Sequence, residues 1–419
     1  VNALAKLALA SLRNRRFTVA LTIASIAIST ALLLGVERLR QEAREGFLRT
    51  VSGTDLIVGA RSNPVQLLLY AVFRVGEPTN NVSWESYRTF AERPGVAWTI
   101  PISLGDSHRG FRVVGTSTAY FEHLRFAGDR RLEFAEGRPF EAIHDAVVGA
   151  DVAERLRYRI GDRIVVAHGT GRTVLAEHDD QPFTIVGILK RTGTPVDQSV
   201  HVSLAALEAI HSNWRFGTRI GEAPSDAELA AMDLTPRSIT AFFVGLESKV
   251  GVFALQRAVN EYRPEPLSAI MPGVALQQLW RLLGTVERAL LVTAACVVLA
   301  GLLGMLTAVL ATLNERRREM AILRSVGARP AHVFGLLLLE AVLLTALGAL
   351  AGLLLMNGAL AGLSGWLEAR FGLYAAAGWP TIAEWRLLGL ILAAGLVAGL
   401  VPAWLAYRRS VADGLTVRT

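Results

Sequence analysis

The sequence predicts an α-helical membrane protein: four transmembrane helices, with a large α+β extracytoplasmic domain inserted between helices 1 and 2. Three observations predict it. Of the 419 residues 52% are hydrophobic and only 19% charged. Four apolar stretches are each long enough to cross a hydrocarbon core, which takes about 20 residues as a helix. Arginines collect at the alternate ends of those stretches that one orientation would place in the cytoplasm. The net charge of +7 is almost wholly arginine, lysine occurring only at Lys6, Lys190 and Lys249. These arginines flank apolar runs and form no basic face, so nucleic acid is not an expected partner. Cys296 is the only cysteine, which excludes an intrachain disulfide, and its apolar run suggests a small buried hydrophobe.

Residues 1–16 place Leu4, Leu7, Ala8 and Leu12 on one helical face, with Lys6, Arg13, Arg15 and Arg16 towards the far end. That pattern predicts an amphipathic helix lying in the interface. Residues 17–36 carry no charge and form transmembrane helix 1. The run exceeds the about 7 to 15 apolar residues of a cleaved signal peptide, so an uncleaved anchor is expected. Residues 37–288 then change character. A charged stretch, 37–49, continues the first span as a stalk helix, and 276–288 feeds the second. Between them, short apolar runs bounded by turn residues predict strands at 55–58, 96–102, 111–115, 146–148, 163–167, 183–189 and 239–246. Helices are expected at 151–157, 250–262 and 276–283. The compact patch VQLLLYAVFRV at 65–75 is too short to span a bilayer and predicts a buried core helix. The mixture is α+β.

Transmembrane helices 2, 3 and 4 are expected at 289–313, 333–356 and 387–407, with a short outer loop at 357–386 and a tail at 408–419. The positive-inside rule puts the N-terminal segment, the loop at 314–332 and the tail in the cytoplasm. Trp366, Phe371, Tyr374, Trp379 and Trp385 fit an aromatic belt at the outer interface. Small residues four apart, Ala300 with Gly304, Gly348 with Gly352 and Gly395 with Gly399, predict close helix packing, because association in lipid relies on van der Waals contact. Glu340 is the one ionisable residue inside a span and is read as paired or reaching the interface. Pro402 is expected to kink helix 4.

The loop NERRREMAILRSVGAR, 314–329, has more pattern than a chain reversal needs. Met320, Ile322, Leu323 and Val326 recur at helical spacing, while Glu315, Arg316, Arg317, Arg318, Glu319 and Arg324 cover the remaining surface. Gly327 and Pro330 stop the helix. The prediction is an amphipathic helix at the cytoplasmic surface on which a partner docks.

Chemistry of the commoner kinds is missing from the sequence. There is no GxxxxGK[ST] loop to cradle phosphates, and no HExxH, GxSxG or CxxC. No catalytic residue and no metal set is assigned. Histidines concentrate in the external region (His108, His123, His144, His168, His178, His201 and His211), and the run His178, Asp179, Asp180 is read as a solvated turn, not a metal site.

Several segments together resemble the permeases of the MacB, LolC/LolE and FtsX group of ABC transporters. NERRREMAILRSVGA is similar to that family's coupling segment, which carries the coupling role onto Glu315, Arg316, Glu319, Leu323, Arg324, Gly327 and Ala328; Arg317 and Met320 join them on the same helix. VVGADVAERLRYRIGDRI from Val147, FTIVGILKRTGTPVD from Phe183 and PAWLAYRRSVADGL from Pro402 resemble its external and closing patterns. The resemblance implies a periplasmic core domain with an inserted β-rich part at about 101–235. It also implies an inner-membrane permease dimer with both termini cytoplasmic, and a separate ATP-binding subunit in two copies that holds ATP and Mg. The chain itself is then expected to carry no cofactor and no ATPase activity. Membrane lipid and a periplasmic substrate or accessory protein complete the expected partners. The alternatives are an FtsX-like regulator of a periplasmic hydrolase and a periplasmic metal-binding sensor.

Overall fold

Runs of Leu, Ala, Val and Ile without a breaking residue give the chain its longest helices. The computed structural model describes residues 15–50, 52–169, 176–177, 181–212, 214–215, 218–219, 224–315, 322, 325, 327–371 and 377–408. The helices are α1 (Arg16–Thr50), α2 (Pro64–Ala71), α3 (Trp84–Ala91), α4 (Ala119–His123), α5 (Ala150–Leu156), α6 (Leu204–His211), α7 (Asp226–Ala231), α8 (Val252–Asn260), α9 (Pro272–Glu315), α10 (Pro330–Phe371) and α11 (Ile382–Arg408). Chain contacts define two units, Val1–Ala43 with Leu283–Thr419, and Arg44–Leu282.

Four segments of the helices are long and apolar enough to cross a membrane: Arg16–Glu42, Pro272–Ala311, Pro330–Trp366 and Ile382–Arg408. Pro272 and Pro330 open their helices where a missing N–H costs nothing. The expected outer loop at 357–386 is mostly helix, since α10 continues to Phe371 and α11 begins at Ile382. Good helix formers such as Ala359, Leu360, Leu363 and Leu367 carry the helix on, and no proline intervenes before Pro380. α11 also continues past Pro402 to Arg408. Cys296 corrects a second expectation: it is exposed on α9, on a face that a bilayer would cover, and is not buried within the chain. The interfacial helix expected at 1–16 falls almost entirely outside the described residues.

The second unit is built on one sheet. Its strands are β1 (Leu56–Ala60), β2 (Val96–His108), β3 (Phe111–Thr116), β4 (Phe134–Gly137), β5 (Asp145–Val148), β6 (Arg163–Ile164), β7 (Ala167–His168), β8 (Ala176–Glu177), β9 (Phe183–Leu189), β10 (Ser199–Ser203), β11 (Ala241–Leu246) and β12 (Leu267–Ile270). They pair in the order β12-β1-β11-β2-β3-β10-β5-β9-β4, with β7 joined to β2 and β8, and β6 to β9. The 13-residue β2 is the hinge of this topology. Its first half pairs antiparallel with β11, from Val96 opposite Leu246 to Ile102 opposite Ala241, and its second half with β3 and β7. The change of partners falls between Ile102 and Ser103, and a register shift between Leu104 and Ser107 interrupts the pairing with β3. β10 runs parallel to β3 and β9 parallel to β5, which makes the sheet mixed.

Alternation along β9 buries Phe183 and Ile185 against a core of Val113, Val148, Val152, Val200 and Ile210, while Leu189 at its end packs in the core that holds α2. The apolar patch at 65–75 forms α2, whose Leu67, Leu68, Tyr70 and Ala71 are buried beneath the sheet. Asn63 caps it by accepting a hydrogen bond from the Val65 N–H. Eight elements have no counterpart among the expected ones: α3, α4, α6, α7, β4, β8, β10 and β12. α3 and α6 are capped by Ser83 and Ser203, whose Oγ atoms accept from Ser86 N and Ala206 N. The single strand expected at 163–167 is two short ones, and β2 runs six residues past its expected end at Ile102.

Candidate functional site

The segment expected to couple, 314–329, joins the end of α9 to the start of α10. Glu315 is the last residue of α9, and the chain turns at Gly327, whose φ of +102° no L side chain adopts without strain. Ile322 is exposed and Ser325 Oγ donates to the Ile322 carbonyl at 2.8 Å. Ala328 is half-buried. The start of α10 is closed by His332, whose Nδ1 accepts from Arg329 N at 3.0 Å. Arg316, Arg317, Glu319, Met320, Leu323 and Arg324 lie outside the described residues.

Within the membrane unit the glycines sit where helices cross. A Cβ on Gly348 would lie 2.6 Å from the Ile26 side chain, and one on Gly352 would lie 2.6 Å from Thr30 Cβ and 2.7 Å from the Ala27 carbonyl oxygen. Gly399 meets Ala341 at 2.6 Å, and Gly395 faces Thr345. α10 thus touches α1 on one side and α11 on the other at backbone distance. On α9 the contact is made one position along from the expected pair: Gly301 faces Ser29, while Gly304 has open space and Ala300 is exposed. Ser29 Oγ donates to the Val297 carbonyl at 3.2 Å. Ile26, Leu34, Val298, Met305, Leu344 and Ile391 fill the space between the helices. Glu340 is buried on α10.

Beyond the apolar stretch of α1 lies a polar cluster that the sequence reading missed. Arg38 and Glu384 are both buried, and their bond is bidentate: Nε donates to Oε1 at 2.6 Å and Nη2 to Oε2 at 2.7 Å. Arg38 Nη2 also donates to the Trp379 carbonyl at 3.1 Å. Glu384 in turn closes the N-terminus of α11, accepting from Thr381 N at 2.7 Å while Thr381 Oγ1 accepts from Glu384 N at 3.3 Å. The signal was in the sequence: Thr381-x-x-Glu384 before an apolar run is a capping box. One turn along, Glu37 accepts from Arg40 at 2.7 and 2.9 Å and from Gln41 at 2.9 Å, and Arg40 comes within 3.9 Å of Glu287 on α9. Trp366, Trp379 and Trp385 are exposed; Tyr374 lies outside the described residues.

In the second unit most described histidines serve the fold. His108 is buried between the Val165 carbonyl, 2.6 Å from Nδ1, and Tyr158 Oη, 2.8 Å from Nε2. His201 on β10 packs against Tyr120 with ring centres 4.9 Å apart, and burial, helped by the nearby Arg74 guanidinium, pushes its pKa down to about 3. His123 stacks on Trp98. His178, Asp179 and Asp180 lie outside the described residues. The fold does bring Asp106, His168 and His211 together from three separate elements, which no sequence spacing announces.

Comparison with known proteins places both units. The MacB-like periplasmic core domain matches residues 19–262, and the FtsX-like permease C-terminal domain matches residues 291–412. The chain is 25% identical over 359 residues to the macrolide export ATP-binding/permease protein MacB of Azoarcus sp. (strain BH72), covering 82% of this chain and 50% of that protein. It is 27% identical over 406 residues to the pyoverdine export ATP-binding/permease protein PvdT of Pseudomonas aeruginosa, covering 93% of this chain and 54% of that one. The chain spans about half the length of these curated relatives. The crystal structure of the periplasmic region of MacB from Actinobacillus actinomycetemcomitans aligns over 55% of this chain and 94% of its own, at 9% identity and a TM-score of 0.34.

Proposed function

This chain belongs to the family of the MacB-like periplasmic core domain, and from that premise we propose that it is the permease of an ABC transporter that turns ATP hydrolysis into conformational work in the periplasm. ATP binding is assigned to a partner subunit, two copies serving two permeases; the relatives MacB and PvdT are named ATP-binding/permease proteins, and residues 1–419 hold no phosphate-binding loop of their own. Mg and ATP are held there. Both termini and the coupling segment face the cytoplasm, and the substrate is an envelope component that is exported or extracted.

The observation that supports this reading most is the continuity of two helices. α1 runs from Arg16 to Thr50 and α9 from Pro272 to Glu315 without a break, so each passes from an apolar span into the unit that carries the sheet. A helix transmits displacement along its axis because every backbone hydrogen bond lies within it. In this reading the coupling segment, which follows Glu315 at the other end of α9, receives that displacement. The amphipathic pattern around Glu319 and Leu323 suits a groove on the partner: the apolar residues bury, and the charged ones fix register. In this scheme the permease residues perform no bond chemistry. They bind the ATPase, hold α9 and α10 in one geometry at the turn through Gly327, and carry the motion outward.

The test is reconstitution with the ATP-binding subunit in lipid nanodiscs. Replacing Glu319 and Leu323 by alanine should leave the permease folded and reduce substrate-coupled ATP turnover about tenfold or more, the loss expected when the centre of a small interface is truncated. Unchanged coupled turnover in the double variant would refute the assignment.

A further inference from the structure

Asp106, His168 and His211 come from β2, β7 and the C-terminal end of α6. Strand pairing fixes the first two, His168 standing opposite Asp106 in the antiparallel register of β7 on β2. The third is delivered by α6, whose start is fixed by the Ser203 cap. His168 Nδ1 lies 3.0 Å and His211 Nε2 3.6 Å from the same Asp106 oxygen, Oδ1. The two imidazoles are stacked, with ring centres 4.6 Å apart and planes 12° from parallel. One ligand atom from each residue lies within 4.8 Å of the others.

From this geometry we infer a binding site for a divalent transition cation of the zinc class, held by Asp106, His168 and His211. A tetrahedral zinc with bonds of about 2.0 to 2.2 Å sets its ligand atoms about 3.3 Å apart. The Asp–His separations of 3.0 and 3.6 Å bracket that value, and the three ligand atoms all lie within 4.8 Å of one another, so binding draws groups together that already converge. Two nitrogens and one carboxylate oxygen suit zinc better than the all-oxygen shells of calcium or magnesium.

Burial is graded as such a site requires. The Asp106 side chain is only 4% exposed, whereas those of His168 and His211 are 29% and 34% exposed. The carboxylate thus forms the floor and the imidazoles the open rim, leaving the fourth position to water. Two stacked imidazoles aimed at one buried carboxylate have a common solution: a single dication bonds to all three at once. Bound there, it ties the far half of β2 to β7 and to α6, a cross-link within the external unit.

The experiment uses the full chain in detergent micelles, purified without a histidine tag and stripped with a chelator, with zinc chloride as the probe. Competition with a chromophoric chelator gives the affinity, elemental analysis the stoichiometry, and thermal unfolding an independent readout. One zinc per chain is expected, and it should raise the melting temperature, since a ligand that binds only the folded state stabilises it by mass action. His168→Ala and His211→Ala should each weaken binding by about tenfold or more, while His123→Ala, which removes an unrelated ring, should leave it unchanged. Both His168 and His211 are part-exposed, so these variants keep the fold even if Asp106→Asn does not. No zinc bound to the wild-type chain would overturn the proposal, as would undiminished binding in the His168→Ala/His211→Ala variant, which would put the ion elsewhere.

Discussion

The buried pair Arg38–Glu384 shows how much one side chain can hold. Glu384 accepts from Arg38 twice and from Thr381 once, so its carboxylate is satisfied although no water reaches it. Arg38→Ala removes the larger part of that and leaves an uncompensated buried charge, which costs about 3 to 5 kcal/mol. Thermal unfolding in micelles should show that loss, and Arg38→Met with Glu384→Leu together should recover most of it. Packing gives a second prediction. Gly352→Val puts a side chain into Thr30 and the Ala27 carbonyl and should destabilise by about 1 to 3 kcal/mol, whereas Gly358→Ala, with nothing within 4 Å, should be neutral. His201 gives a third. Its pKa falls from 6.5 to about 3 on folding, so below pH 6.5 the unfolded chain takes up a proton that the folded chain refuses. Stability from this group is therefore complete above pH 6.5, falls by about 1.4 kcal/mol per pH unit below it, and levels off under pH 3. Unfolding followed by tryptophan fluorescence between pH 7 and 4 should show the slope, and His201→Phe should flatten it.

At the scale of elements, continuity of the long helices is what the proposed function needs. Gly284 lies within α9 with open space around it, so a proline there breaks the helix without a clash against its neighbours. Gly284→Pro costs about 3 kcal/mol locally and should uncouple ATP turnover, while Gly284→Ala should leave coupling intact. Turnover by the reconstituted complex checks both. Long elements were also the ones legible in the sequence. Apolar length located the four candidate spans, because a bilayer imposes a length on each. The helix at 65–75 and the strand at 183–189 were legible because their apolar periodicity is undiluted. β10 and α6 were not. SVHVS carries a histidine and serines whose burial depends on partners in β3 and β5, and a lone Ser203 cap does not distinguish a helix from a turn. Residues 357–371 of α10 were read as a loop because the span was ended at Met356, the length a bilayer needs, while the helix formers beyond it carry the helix on to Phe371.

For the molecule as a whole, the family and the division into two units were legible from the order of several weak patterns, none specific alone. The polar constellations were not. Arg38 and Glu384 are joined only by helix packing, and Asp106, His168 and His211 only by the register of β7 on β2 and the direction of α6. Such contacts depend on tertiary placement, which periodicity does not report. Of the residues proposed to couple, Glu315, Gly327 and Ala328 are described, and they lie between α9 and α10.

The central claim is that nucleotide energy entering at the coupling segment emerges as movement of the periplasmic unit. It is tested most directly by a distance between spin labels on the periplasmic units of two permeases in the reconstituted complex, after Cys296 has been replaced by serine and one cysteine placed on exposed Phe253. The account predicts that ATP shifts the distance distribution in the otherwise native chain and leaves it unchanged in the Glu319→Ala/Leu323→Ala variant. An identical ATP-driven shift in both, or none in either, would contradict it.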